Sequence, residues 1–273
     1  MKKDKNDSCL LFRGVYLLPA VVIAVGVFGW IIRRVNTALF LWINSHNSGR
    51  LDIIMTHITS LGDGLILCLL LFFLFPRRAD ITILSMEAYI TSGLAVNILK
   101  PLFDLPRPPA LFSPELIHVI GSAYKRGSFP SGHTASAVAA GLVLFLLLRS
   151  PMWRFCAILL GLLVGYSRVY VGVHFPLDVY AGGLLGALTA WVAARRQKKI
   201  RKWLNDLSLK GRRALRNCSM LLMLAAGLYL LLWYPEVMPG VELSAKLLGM
   251  SAALMAAYQL AKDVEGFGIR GQL

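Results

Sequence analysis

Three short blocks hold the residues of this chain that could do chemistry. They are Lys100-(x6)-Arg107-Pro108, then Pro130-Ser131-Gly132-His133, then Ser167-Arg168-(x5)-His174-(x3)-Asp178. Three fixed cations, two imidazoles and one carboxylate thus fall within about eighty residues. Arginine offers a planar fork of donors and lysine a point charge, a pairing that grips a phosphate dianion. A carboxylate bonded to one nitrogen of an imidazole fixes the tautomer and frees the other nitrogen for attack. A second imidazole can carry the proton of the leaving oxygen. The set suits phosphoryl transfer.

Each block also has a plainer reading when taken alone. In the first, prolines at 101, 106, 108 and 109 predict a stiff, non-helical loop that presents Lys100 and Arg107. Two cations at the end of a span are equally ordinary anchors. In the second, Ser131 is a candidate N-cap, and Gly132 lets a ligand approach the backbone. The bare N–H groups of a helix start then make an anion seat, with His133 just inside it. A capped helix with an interfacial histidine reads the same way. In the third, Pro176 suits a first helical turn and Asp178 can reach back to His174. A satisfied His–Asp pair would explain that much, but not Arg168.

The elements that carry these blocks are membrane spans. The chain is 57% hydrophobic with a mean hydropathy of +0.64, and only 16% of its 273 residues are charged. An ordinary soluble domain is excluded. The net charge of +15 does not point to nucleic acid, because the largest basic cluster sits between two apolar runs, as a topogenic loop does. Apolar stretches at 15–32, 64–76, 81–99, 132–149, 152–170, 176–194, 219–234 and 243–262 predict eight helical spans. The first follows Lys2, Lys3 and Lys5 like a signal peptide. It is long, lacks a small-residue cleavage pattern and ends at Arg33-Arg34, so it reads as retained. Residues 51–62 read as a short helix in the interface. Trp30, Trp153, Trp191 and Trp233 fall near span ends, and the cysteines are too scattered for a disulfide framework or a zinc site.

With eight spans, the side of the chain termini holds twenty of the Lys and Arg residues and the other side nine. That bias predicts cytoplasmic termini. The run 195–216 alone holds ten basic residues and one acid, which suits a stop-transfer anchor or a patch for anionic headgroups. Lys100 closes the third span, Ser131 opens the fourth, and two further spans return the chain before His174. All three blocks therefore converge on one membrane face, the non-cytoplasmic one by this count.

Together the blocks resemble the signature of the type 2 phosphatidic acid phosphatase (PAP2) superfamily, KxxxxxxRP, PSGH and SRxxxxxHxxxD, with every signature position matched. The Thr59–Gly64 stretch is similar to the family as well, more weakly. The resemblance implies an all-α polytopic bundle with a six-helix core over residues 1–194. A basic cytoplasmic loop at 195–218 and a two-helix membrane extension at 219–273 would follow it. It implies a lipid phosphatase in which His174 attacks phosphorus, Asp178 orients it and His133 serves the leaving group and then water. Lys100, Arg107, Ser131, Gly132 and Arg168 would hold the phosphate oxygens, with no metal or other cofactor. The partners implied are membrane lipids and a lipid phosphate, not nucleic acid, and the oligomeric state stays open. Candidate substrates are undecaprenyl pyrophosphate, phosphatidylglycerol phosphate, phosphatidic acid and lipid A phosphates. The implied place is a bacterial inner membrane with the site on the periplasmic or extracellular side. A lipid phosphotransferase remains an alternative at the same site, and a non-enzymatic lipid-binding or transport protein is the alternative of another class. A vanadium haloperoxidase, with a similar anion cradle, is disfavoured by the many spans. Outside the blocks, Glu87 lies mid-span without an evident partner, Asn97 could face the helix interior, and Asp63 reads as a turn residue. His46, His57 and His118 read as interfacial or structural.

Overall fold

The structure, a computed structural model, describes residues 5–76, 78–233 and 240–268, with side chains from residue 22 to 261 within those ranges. Lys2, Lys3 and part of the cation count behind the orientation lie outside the described residues. The chain runs α1 (Lys5–Ser45), α2 (Gly49–Ser60), α3 (Gly64–Leu74), α4 (Ala79–Phe103) and the four-residue α5 (Pro108–Leu111). It continues with α6 (Gly132–Leu147), α7 (Pro151–Tyr170), α8 (Pro176–Arg195), α9 (Gln197–Asp206), α10 (Leu209–Trp233) and α11 (Glu242–Gly268). Each of the eight predicted spans falls on one of these helices.

Among the described residues, five helical stretches are long and apolar enough to cross a membrane, on α1, α4, α7, α8 and α10. A sixth would be the α2–α3 pair, bent by 75° between its halves. Asp63 makes that bend: it caps α3 by accepting from the N–H groups of Leu65 (2.9 Å) and Ile66 (3.3 Å). α3 itself has 11 residues, about 16 Å of helix, well short of a hydrocarbon core of roughly 30 Å. α6 is apolar but has only 16 residues. α11 is diluted by Ser244, Lys246 and Ser251.

α6 is the central post, packed by α4, α7 and α8. Small residues let the backbones close up. A Cβ on Gly186 would meet the Ala135 carbonyl, and one on Gly182 the Ser131 carbonyl. Ala135, Ala137, Ala139 and Ala140 on α6 are all fully buried. Helices in lipid gain by such contact because dispersion, not water exclusion, holds them. At the end of the bundle away from the three blocks, Asp80 on α4 accepts from Arg78 (2.9 Å) and from Arg201 on α9 (2.8 Å). Glu87 pairs with Arg196, so the mid-span acid does have a partner. The basic run 195–216 is therefore the end of α8, the helix α9 and the start of α10 rather than a loop.

α10 and α11 form a hairpin that presses on α3. Gly227 and Gly249 face one another so closely that a Cβ on either would strike the other's carbonyl. Met223, Leu230, Ala245, Ala252 and Ala256 join Ile66 and Leu69 of α3 in one buried cluster. A short helix that is apolar all round thereby gains a covering on its lipid side.

Candidate active site

The first block departs from its expected form. α4 does not stop at Lys100: it runs on to Phe103 with Pro101 inside its last turn. Proline there removes one N–H but leaves the next residues free to complete the turn, and the N–H of Asp104 closes it on the Lys100 carbonyl (2.8 Å). Asp104 then takes a left-handed conformation, φ 36°, and the chain turns off. Lys100 thus stands on a helix end, not in a loop. Asn97 is exposed, not turned into the bundle.

Arg107 is buried at 8% exposure and already half employed. Its Nε donates to the Arg126 carbonyl (3.1 Å) and Nη2 to the Gly127 carbonyl (3.3 Å), while Tyr124 lies 5.6 Å from the guanidinium, face on. A guanidinium has five N–H donors, so the Nη1 edge remains for a ligand.

Ser131 is the N-cap of α6, as expected, but its hydroxyl does not cap. It bonds to the Thr134 hydroxyl at 2.9 Å, both groups buried. The backbone of Ser131 ties the second block to the third, its N–H donating to the Asp178 carbonyl (3.0 Å). At Gly132 a Cβ would only touch Val96 at 3.5 Å, so no protein neighbour demands glycine there. The open backbone at this helix start is what glycine preserves.

Arg168 ends α7 and is 5% exposed. Its Nη1 donates to Thr59 Oγ1 at 3.0 Å, and its Nε makes no hydrogen bond. His174 follows in the short connection to α8, at 1% exposure, with Nδ1 likewise unbonded. The buried Arg168 Nε lacks an acceptor, and Arg168, Lys100 and Arg107 all lie within electrostatic reach of both histidines, so the cluster is one that an anion would complete. His133 lies within electrostatic reach of His174, Lys100, Arg107 and Arg168. Burial, and after it the charges of Arg168, Arg107 and Lys100, hold the His174 imidazole well below its ordinary pKa, with only the Ser128 backbone opposing. The ring is neutral at pH 7.

The expected His174–Asp178 bond is not made. Asp178 Oδ2 stands 3.5 Å from Nδ1. The same oxygen accepts instead from the Ser128 hydroxyl (2.5 Å) and the Phe175 N–H (2.9 Å). A carboxylate at the third position of a helix naturally turns back to the N-cap backbone, and that is what Asp178 does.

Sequence reasoning passed over Ser128, Thr59 as a partner of Arg168, and a polar knot above α2. In that knot Asp52 accepts from the Tyr170 hydroxyl (2.8 Å) and faces His118 Nε2 (3.0 Å). Asn44 holds the carbonyls of His118 (2.7 Å) and Tyr170 (2.8 Å). His118 is thus tied into this knot, while His46 meets the Trp42 carbonyl and the Ser45 hydroxyl at the end of α1, and His57 the Ile53 carbonyl of its own helix. Ser128, Thr59 and the residues of the knot are common polar types whose partners lie fifty or more residues away, so spacing carries no sign of them.

Comparison with known proteins bears on this geometry. The PAP2 superfamily model matches residues 82–202. The chain is 35% identical over 170 residues to an undecaprenyl-diphosphatase of Sulfolobus acidocaldarius, a match covering 59% of this chain and 77% of that protein. It is 32% identical over 167 residues to phosphatidylglycerophosphatase B of Bacillus subtilis, covering 56% and 78%. The crystal structure of Aquifex aeolicus LpxE superposes with a TM-score of 0.54 at 34% identity, over 59% of this chain and 95% of that one.

Proposed function

The chain belongs to the PAP2 superfamily, and from that premise we propose that it is a phosphohistidine-forming phosphatase acting on a lipid phosphate or pyrophosphate at the non-cytoplasmic face of a bacterial inner membrane. That it is a multi-pass membrane protein and a hydrolase of phosphate esters or diphosphates follows from the apolar helices and the relatives. The observation that carries the finer reading is the buried, unbonded Nε of Arg168, with Lys100 and Arg107 also within electrostatic reach of His133 and His174.

In this reading His174 Nε2 attacks phosphorus as the bond to the leaving oxygen breaks, and His133 gives that oxygen its proton. Lys100, Arg107 and Arg168 stabilise the equatorial oxygens, aided by the N–H of Gly132. Asp178, held by Ser128 and Phe175, takes the Nδ1 proton of the charged phosphohistidine as a hydrogen bond once the ring tilts toward it. Water then attacks phosphorus while His133 accepts its proton, the P–N bond breaks, and phosphate leaves with both histidines restored. The Ser131 hydroxyl reaches the phosphate only by leaving Thr134. We read α1–α8 as the catalytic core, α9 as a basic collar and α10–α11 as an extension that buttresses α3.

Relatives named as an undecaprenyl-diphosphatase and a phosphatidylglycerophosphatase support an isoprenoid pyrophosphate or a glycerolipid phosphate as substrate, and those named as lipid A phosphatases support a lipid A phosphate as the alternative. Purified protein is expected to release phosphate from such a panel, in EDTA as well as without it, since fixed cations do the work of a metal here. Acid-labile, base-stable labelled phosphate on the wild type, lost in His174→Ala, is the expected trace of the intermediate. Absence of release from every member of the panel would overturn the reading, and transfer to a lipid acceptor without free phosphate would make the protein a phosphotransferase.

A further inference from the structure

Between α1, α6, α7 and α8 lies a cavity of about 470 Å³. Phe28, Ile32, Val138, Leu142, Ile158 and Leu184 are among its walls. The polar side chains on its border are already bonded: Thr134 to Ser131, and Tyr180 to the Val25 carbonyl at 2.5 Å. Such a space is dry and suits hydrocarbon.

Its position says whose hydrocarbon. The lining begins level with the histidines: Thr134 is next to His133, Pro176 is two residues past His174, and Gly165 is three before Arg168. From there it runs away from them along three helices, to Phe145 on α6, Ala157 on α7 and Leu184 on α8. Along α6 that is about 16 Å at 1.5 Å per residue. One leaflet of a hydrocarbon core is about as deep, half of roughly 30 Å. α1 closes the outer side, pinned by Tyr180 and by the Leu177 N–H on Asn36 Oδ1 (2.9 Å). Thr134, at the upper end of the slot, bonds through its hydroxyl to Ser131, the residue before Gly132 and His133.

We propose that this slot binds the hydrocarbon tail of the lipid whose phosphate meets Arg168 and His174. The proposal rests on the lipid phosphatase reading and adds where the tail lies and what sets chain-length preference. A bound tail keeps α1 against α8, and a substrate without one reaches the histidines from the aqueous side alone.

Gly183 supplies the test. It lines the slot, and a Cβ there would meet nothing within 4 Å. Gly183→Leu therefore enters the slot from a position where its Cβ meets no neighbour, and leucine is the better helix former. Each buried methylene is worth roughly a fourfold change in affinity, so displacing two or more should cost about tenfold or more. The measurement is kcat/KM on dioleoyl phosphatidic acid, dihexanoyl phosphatidic acid, farnesyl pyrophosphate and p-nitrophenyl phosphate. The expected result is a loss of about tenfold on a long-chain member, with p-nitrophenyl phosphate unchanged. Loss confined to the acyl or to the isoprenoid chain names the tail class. Unchanged long-chain turnover, or an equal loss on all four, overturns the proposal. A second readout is independent of the variant's folding: phosphatidic acid with a diazirine in its tail should label wild-type peptides from 134–145 and 176–184. Labelling confined to α10 and α11 also overturns it. If wild type hydrolyses none of the four, the phosphatase reading has failed, not the slot.

Discussion

Ser128 and His174 address the same oxygen. The Ser128 hydroxyl donates to Asp178 Oδ2 at 2.5 Å, and His174 Nδ1 stands 3.5 Å from that atom without a bond. Ser128 is fully buried, on the loop that also receives Arg107 through the carbonyls of Arg126 and Gly127. One loop thus sets both Arg107, a candidate phosphate ligand, and the carboxylate behind the candidate nucleophile.

Ser128→Ala should lower kcat about tenfold with KM for a soluble phosphate little changed, because the lost bond orients a group and does not contact substrate. A hydrogen bond to a charged group is worth about 1.5–3 kcal/mol, and tenfold, about 1.4 kcal/mol, sits near the low end of that range, as fits a bond that acts through Asp178. Ser128→Thr, which restores a hydroxyl, should recover part of it. Steady-state kinetics decide: a rise in KM with normal kcat would place Ser128 on the substrate instead.

The depressed pKa of His174 has a pH consequence. The free imidazole ordinarily titrates near 6.5. In the folded protein, burial and three cations oppose its protonation, so this candidate nucleophile stays neutral as pH falls through that value. The acid limb of kcat/KM that belongs to His174 should therefore lie below about 6.5, after correction for the phosphate's own ionisation near 6. For stability the sign is the same: below about 6.5 the unfolded chain takes a proton that the folded chain refuses, so acid destabilises. An inflection above 7 assigned to His174 by titration of its imidazole would contradict the arrangement.

Thr59 is the acceptor that aims Arg168. Thr59→Val keeps the shape and removes that acceptor, leaving a fully buried cation with one fewer bond. The expected loss is about tenfold in kcat/KM and about 1–3 kcal/mol in stability. Thr59→Ser should restore activity, and vanadate inhibition measured alongside should weaken in Thr59→Val and return in Thr59→Ser. Unaltered vanadate affinity in Thr59→Val would separate Arg168 from the anion.

Much of this was legible before the structure. Spans read as helices because apolar length has one solution in lipid, and α6 and α7, one out and one back, return the chain from His133 to His174 at the end where α4 leaves Lys100. The local geometry was not. Proline at 101 was expected to end a helix, but the last turn of a helix tolerates it when the next N–H groups find carbonyls. Asp178 was expected on His174, yet a carboxylate in a first helical turn is also claimed by the backbone. Ser128 and Thr59 act across the bundle, and their hydroxyls look like any others in the sequence.

The C-terminal hairpin offers a last prediction, about which part of the chain the chemistry needs. Gly227 and Gly249 bring α10 and α11 into backbone contact, and the pair covers the apolar flank of α3. Gly227→Leu would drive a side chain into the Gly249 carbonyl and force the helices apart, at a cost of about 1–3 kcal/mol for overpacking. The strain falls on the hairpin and on α3, while Lys100, Arg107, His133, Arg168 and His174 sit on α4, α6, α7 and their loops. The variant should therefore melt at a lower temperature yet keep kcat/KM on a soluble phosphomonoester within about twofold below the transition. A thermal melt with parallel assays checks this. Loss of turnover at temperatures where the variant is still folded would mean that α3, through the Gly62 link beside His133, transmits the hairpin's position to the site.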